Sequence, residues 1–146
     1  MTQLSFLSQI SLFVLMFLMG VIAFLVFFWQ VNVFKGKSMK NPDGSSDSWH
    51  EQKILYGMAV ADLFLACPAT IAGIVLVFIW PQWGCFLLAL VSFWFVWANI
   101  MTTTTSLRFE KPKISLYWLI QFPFGILLGL AYIIWFIIHF RIIYGH

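Results

Sequence analysis

Charged side chains are scarce in this 146-residue chain, and their scarcity excludes an ordinary water-soluble domain. Asp, Glu, Lys and Arg make up 9% of the residues, whereas 62% are hydrophobic and the mean hydropathy is +0.95. About a quarter of the residues of a soluble domain are charged, because its surface faces water. The chain has too few charges to cover such a surface, so we expect it to lie in a membrane.

Cysteine is also scarce, and the short motifs of catalytic sites are missing. Cys67 and Cys85 are the two cysteines. Along the predicted helices they differ in depth by roughly 15–20 Å, which is beyond disulfide reach, so free thiols are predicted. The sequence lacks the HExxH, GxSxG, phosphate-loop and dinucleotide motifs. Although His50 and Glu51 are adjacent, no further ligands lie at bonding spacing, so neither a metal site nor nucleophilic catalysis is predicted.

Long apolar runs dominate what remains. About 20 apolar residues in a helix span the hydrocarbon core, and in lipid each backbone group must be satisfied within its own segment. A β-barrel would instead show short alternating strands. We therefore predict an all-α fold, a four-helix transmembrane bundle that forms a single domain over residues 1–146. The predicted helices cover roughly residues 6–33, 54–80, 85–101 and 114–138, and the predicted cytoplasmic loops are 34–53 and 102–113.

The distribution of positive charge predicts the orientation of the bundle. Seven of the eight Lys and Arg residues flank the first and third loops, the second loop has none, and Arg141 stands alone after the fourth helix. The positive-inside rule therefore places loops one and three in the cytoplasm and both termini outside. The net charge of +3 is a topology signal, and no nucleic-acid partner is predicted. The same bias fits a bacterial inner membrane and an endoplasmic reticulum membrane equally well.

Asp62 is the only Asp, Glu, Lys or Arg inside the four predicted spans. A charge near the bilayer centre costs about 2.5–3.5 kcal/mol, so such residues usually face the bundle interior and mark a site. Counting residues from a turn near Gln82 places Asn99 and Thr102 at a similar depth. Gln121 on the fourth helix and Gln30 on the first helix also lie near this layer. We therefore predict a polar ligand-binding layer in the cytoplasmic half of the membrane.

Two kinds of role are open for this layer. The polar groups could form a binding site for a small or amphiphilic ligand, with Arg108 reaching in from the cytoplasmic face. An acid without a partner is hard to justify on structural grounds, which favours this interpretation. Alternatively, the layer could hold the helices of a non-catalytic subunit together, or Asp62 could be the titrating group of a small proton-coupled transporter. The expected partners are lipid and either copies of the same chain or other membrane subunits.

Small residues and prolines mark positions where helices approach each other or bend. Small residues four apart let helix backbones come close in lipid, where no hydrophobic force drives helices together. Pro68 and Pro123 each remove a backbone donor and are expected to disturb their helices near Asp62 and Gln121. The small pairs are Gly57 and Ala61, Ala69 and Gly73, and Gly125 and Gly129.

The layout and two short segments resemble the MAPEG family of membrane glutathione transferases and eicosanoid-pathway proteins. Residues 57–62 (GMAVAD) are similar to the family's second-helix segment, which ends in an acid, and residues 106–109 (SLRF) are similar to its basic motif. The resemblance implies a homo-oligomer in which Asp62 helps to hold glutathione and Arg108 helps to activate its thiol. The resemblance in architecture covers the whole chain, whereas the resemblance in sequence is limited to these two segments.

The chain also departs from the family at most of the glutathione ligands. Ala59 occupies the position of the family's asparagine, and the expected arginine falls near Leu55. Trp97 and Met101 replace the third-helix tyrosines, and the acid is shortened to Asp62. Glutathione is therefore implied as a cofactor by the resemblance alone.

Overall fold

The computed structural model describes residues 4–37, 56–110 and 113–145, and within them the regular structure is entirely helical. Two short π-helical segments accompany the α-helices: Asp62–Ala66 lies within α2, and Ser106–Glu110 continues α3. The helices are α1 (Phe6–Phe34), α2 (Tyr56–Ile79), α3 (Pro81–Thr105), α4 (Leu116–Gln121) and α5 (Phe124–Tyr144).

Four of these helices are long and apolar enough to cross a membrane. They are α1, α2, α3 with the first residues of its π extension (Pro81–Arg108), and α5. The prediction of an all-helical chain with four membrane-spanning segments is therefore confirmed, and the chain has the character of a multi-pass membrane protein.

The four long helices form a ring of neighbours in the order α1, α2, α3, α5, because α3 packs on α2 and α5, and α1 packs on the same two helices. Gln82, next to the turn between α2 and α3, donates to the carbonyl of Ile143 near the end of α5 (3.0 Å). Ser8 in α1 contacts His139 in α5 at the same end. We call this the turn end, because it holds the Trp80–Pro81 turn, the beginning of α1 and the end of α5, and we call the opposite end the loop end.

α1 buries a narrow stripe and exposes most of its other apolar side chains. Leu12, Met16, Met19 and Ala23 are buried at alternating spacings of four and three residues, which is one face of a helix. By contrast, Phe17 keeps 69% of its surface exposed. Such an apolar exterior suits contact with lipid acyl chains, because these are as apolar as the side chains themselves.

Glycines bring α5 close to α3, as the GxxxG spacing predicts. A Cβ added to Gly129 would lie 2.7 Å from the carbonyl oxygen of Ser92, and one added to Gly125 would overlap the side chain of Asn99. Gly73 of α2 likewise lies against Leu88 of α3. The close-packing prediction is therefore confirmed at these positions. Gly57 differs, because a Cβ there would meet nothing within 4 Å.

The third helix is longer than predicted. It begins at Pro81, which suits the first turn because proline lacks the N–H that would be unpaired there. Helical structure then continues to Glu110, through most of the predicted loop 102–113. The hydroxyls of Thr102 and Thr104 donate to carbonyls one turn back, at 3.0 and 2.8 Å. Because these threonines satisfy their hydroxyls within the helix, their polarity does not end it.

The fourth predicted helix, 114–138, is two helices in the structure. α4 ends at Gln121 and α5 begins at Phe124, with Pro123 between them, because proline has no N–H to continue the helical bonds. α5 also runs beyond residue 138 to Tyr144, whose hydroxyl donates to the carbonyl of Gln82. Residues 38–55, which include most of the predicted first loop and the predicted start of the second helix, lie outside the described residues.

Candidate functional site

Asp62 begins the π-helical segment of α2 and is 4% exposed. The N–H of Cys67 donates to the carbonyl of Asp62, five residues back rather than four. Pro68 follows immediately, and in a regular helix its ring would press on the carbonyl four residues earlier. The wider turn gives that ring room, so the predicted disturbance near Asp62 takes the form of a π turn. Such turns occur frequently at functional sites.

The Asp62 carboxyl joins three helices. Gln30 of α1 donates from Nε2 to Asp62 Oδ2 at 2.6 Å. The side chain of Trp94 on α3 also interacts with this carboxyl. Gln30 follows Ala23 by seven residues and so continues the buried stripe of α1 into the layer. The expectation that Asp62 has no partner is therefore wrong, whereas the structure does bring Gln30 and Asp62 together as predicted.

The other predicted members of the layer make bonds within their own helix. Asn99 donates to the carbonyl of Phe95 (2.8 Å), and Thr102 donates to that of Ala98 (3.0 Å). Gln121 is half-buried at the end of α4. The structure thus joins two of the five predicted residues directly by a hydrogen bond, at Asp62 and Gln30.

Trp94 is the member of the site that sequence reasoning missed, because an aromatic residue within an apolar run gives no sign of a polar contact. An indole has one polar atom, a donor N–H, which usually finds a partner when the ring is buried. Counting from Gln82 also misplaced the hairpin. Gly84 packs on the backbone of Val77, which centres the turn at Trp80 and Pro81. With the turn centred there, the α3 residues at the depth of Asp62 lie nearer the turn end than the count from Gln82 had placed them.

An apolar groove of about 610 Å³ runs between α1 and α2 beside this layer. Its lining begins at Cys67 on α2, five residues after Asp62, and it includes Phe27 on α1, three residues before Gln30. The Cys67 thiol donates to the carbonyl of Ala23 (3.4 Å), which fixes the two helices at this depth. The groove is lined by Phe27, Cys67, Pro68, Ile71, Ala72, Val75 and Leu76.

The loop end holds the remaining predicted residues. Arg108 is exposed and follows Trp94 by fourteen residues, which is about 21 Å along a helix. The groups described as interacting with the Asp62 carboxyl are thus Gln30 and Trp94 rather than Arg108. Both cysteines are free, as predicted, and both are buried.

Metal-ligand geometry is absent from the part of the chain that the structure describes. Among residues 4–37, 56–110 and 113–145, no group of three or more His, Cys, Asp or Glu side chains is placed to hold a metal ion. His50 and Glu51 lie outside these ranges.

Comparisons with protein-family models, with curated proteins and with solved structures find no match to this chain.

Proposed function

We propose that the chain is a membrane protein that binds a small amphiphilic ligand between α1 and α2. The observation that carries this proposal is the position of a buried carboxyl about one helical turn from an apolar groove. A carboxylate has about four acceptor sites, whereas Gln30 and Trp94 account for two interactions. A ligand head group that donates hydrogen bonds, such as an amine, would therefore bind Asp62 while its apolar tail fills the groove.

The proposed site opens on the cytoplasmic half of the membrane. Asp62 lies seventeen residues from Ile79, the last residue of α2, which is about 26 Å from the turn end. That distance places Asp62 toward the loop end of a hydrocarbon core about 30 Å thick. The lysines and arginines beside the loop end support its assignment as the cytoplasmic end, with both termini outside.

A photoreactive long-chain alkylamine tests this proposal directly. The protein is reconstituted in lipid nanodiscs and irradiated with an alkylamine that carries a diazirine in its chain, and the adducts are mapped by mass spectrometry. We expect adducts on the groove residues Phe27, Ile71 and Val75. Asp62→Asn should reduce them at least tenfold, because the amide keeps the shape of the carboxylate and removes its charge.

The matched control is a probe with a carboxylate head and the same chain. It should label the groove no more strongly in the wild type than in Asp62→Asn, since the acid offers it no attraction. Equal amine labelling of the wild type and Asp62→Asn would overturn the proposal.

A second candidate role is a non-catalytic subunit of a larger membrane complex. It is favoured by the bonds that Asp62 makes to α1 and α3, because these bonds would hold the helices in register without any ligand. In this case Asp62→Asn should leave function intact and Asp62→Leu should destabilise the protein. Purification under mild conditions followed by native mass spectrometry would show the partner subunits, whereas the ligand-binding role requires none.

The resemblance to the MAPEG family supplies a third test. Arg108 is exposed at the loop end, where a water-soluble anion such as glutathione can reach it. If glutathione binds and is activated there, adding it to the purified homo-oligomer should produce thiolate absorbance that Arg108→Ala removes. No absorbance with Arg108 intact would exclude that chemistry.

A further inference from the structure

A histidine and a serine meet at the turn end, far from Asp62. Nε2 of His139 in α5 lies 2.9 Å from Oγ of Ser8 in α1. Nδ1 of the same ring lies 2.8 Å from the backbone carbonyl oxygen of Trp135. The imidazole also stacks on the Trp135 indole, with ring centroids 4.4 Å apart. Contacts at both nitrogens and on one face fix the orientation of the ring.

These contacts allow one arrangement of protons when the imidazole is neutral. The Trp135 carbonyl can only accept a hydrogen bond, so Nδ1 must carry the ring proton. Nε2 therefore has a free lone pair, and the Ser8 hydroxyl donates to it. Since Ser8 has a single hydroxyl proton, Ser5 must be the donor in the 2.8 Å contact between the two serines.

This arrangement has the three parts of an activated serine: a nucleophile, a base within hydrogen-bond reach, and a group that orients the base. A backbone carbonyl takes the place that a carboxylate holds in the better-known triads. The first N–H groups of α1 add a fourth part. Those of Phe6 and Leu7 have no acceptor within the helix and can stabilise negative charge that develops beside Ser8.

We propose that Ser8 is a nucleophile, activated by His139, that attacks the acyl ester of an amphiphile at the outer membrane surface. α1 has 29 residues and is about 44 Å long, so its ends extend beyond a hydrocarbon core about 30 Å thick. Ser8 lies in the first turn, at the depth where lipid ester carbonyls meet water. Phe6 and Leu7, each 76% exposed, offer apolar contact to the acyl chain.

The reaction balances with water as the only co-reactant. Ser8 Oγ bonds to the acyl carbon, its proton moves to His139 Nε2, and the ester C–O bond breaks. His139 then returns the proton to the leaving alkoxide, which departs as an alcohol. Water attacks the acyl-serine while His139 Nε2 takes a proton from it, and the Oγ–C bond breaks. His139 returns this proton to Ser8 Oγ, and the free acid leaves.

A fluorophosphonate with a long alkyl chain tests the proposal without knowledge of the natural ester. On reaction, the Ser8 Oγ–P bond forms while the Ser8 proton moves to His139 Nε2, the P–F bond breaks, and fluoride leaves. The protein in nanodiscs is incubated with the probe, and the adduct is mapped by mass spectrometry. We expect labelling at Ser8 that is lost in Ser8→Ala. His139→Gln should label at least 100-fold more slowly, because glutamine can bond Ser8 but cannot take its proton.

Ser11→Ala is the matched control, because Ser11 lies on the same helix and bonds Trp135 Nε1 (2.9 Å) and the Ser8 carbonyl (2.9 Å). It should label like the wild type and lower the thermal stability slightly.

His139→Gln should keep the wild-type unfolding midpoint within a few degrees, which separates a loss of reactivity from a loss of folding. An unlabelled wild type, or equal rates for the wild type and His139→Gln, would overturn the proposal. Asp62→Asn should not affect this labelling, so the test is independent of the ligand-binding proposal.

Discussion

Single polar side chains connect the helices of this protein, and Gln30 is the clearest example. It is the donor through which α1 reaches the buried Asp62 carboxyl. In lipid, a buried acid that loses a donor finds no water to replace it. The strength of such bonds in membranes is nevertheless modest, about 0.6 kcal/mol on average and up to about 2 kcal/mol.

We predict that Gln30→Leu lowers the free energy of unfolding by about 1–2 kcal/mol, because Asp62 then keeps only its Trp94 partner. Asn32→Leu is the matched control. Asn32 lies two residues further along α1 and is exposed, and its side chain donates to the carbonyl of Phe28 in its own helix. Its replacement should change stability by less than about 0.5 kcal/mol. Unfolding in a mild detergent, followed by circular dichroism, would measure both, and equal effects would contradict a special role for Gln30.

In this bundle, small residues on one helix let it pack closely against the backbone of a neighbouring helix. Gly129 of α5 lies against the backbone of α3 at Ser92. We predict that Gly129→Ala lowers stability by about 1–3 kcal/mol, since its methyl group would lie 2.7 Å from the Ser92 carbonyl oxygen.

Gly57→Ala provides the comparison for this prediction. It adds the same methyl group to α2 where nothing lies within 4 Å, and alanine favours the helix more than glycine does. Its thermal midpoint should equal or exceed that of the wild type. If both glycine variants were equally harmful, backbone preference rather than helix packing would explain the Gly129 effect.

The π segment of α2 determines which face carries Asp62. A π turn is a regular helix with one residue too many, so removing one of its exposed residues should restore the α-helix without rotating either half. We predict that deletion of Leu65, which is 70% exposed, leaves a cooperatively folded protein.

Deletion of Val75, which lies in the regular part of α2 and is 49% exposed, is the control. It should rotate the part of α2 on one side of the deletion by about 100° relative to the other part, because each residue of a regular α-helix turns the chain by that angle. The buried face of α2 would then be broken, and cooperative unfolding should be lost. Equal tolerance of both deletions, measured as monodisperse yield and a sharp thermal transition, would show that the π turn does not set the register.

At the scale of the whole molecule, the structure places the beginning of α1, the end of α5 and the α2–α3 turn at one end, and charge predicts which end is outside. We predict that Gln82→Cys reacts with a membrane-impermeant maleimide in intact cells, whereas Lys37→Cys reacts only after permeabilisation. The native thiols give little background, since Cys67 and Cys85 are 0% and 1% exposed. The reversed pattern would place the proposed ligand site on the outer side.

Much of the fold could be predicted from the sequence, and less of the site. The beginning of α1 was predicted at the observed residue, and the spans were found because apolar composition is a local property. The end of α3 was missed, because threonine hydroxyls can form hydrogen bonds to carbonyls of their own helix. The end of α5 was missed, because a hydrogen bond from Tyr144 to Gln82 holds its last turn. Asp62 was identified by its charge alone.

The sequence by itself determined that this chain is helical and multi-pass, because a backbone in hydrocarbon must bond within its own segment and apolar length shows where that occurs. Only the tertiary structure decided which polar groups meet. Trp94 reaches Asp62 and His139 reaches Ser8 because of helix rotation, the hairpin turn at Pro81 and the extra residue of the π segment. These depend on packing between helices far apart in the chain, and residue counting along one helix does not contain that information.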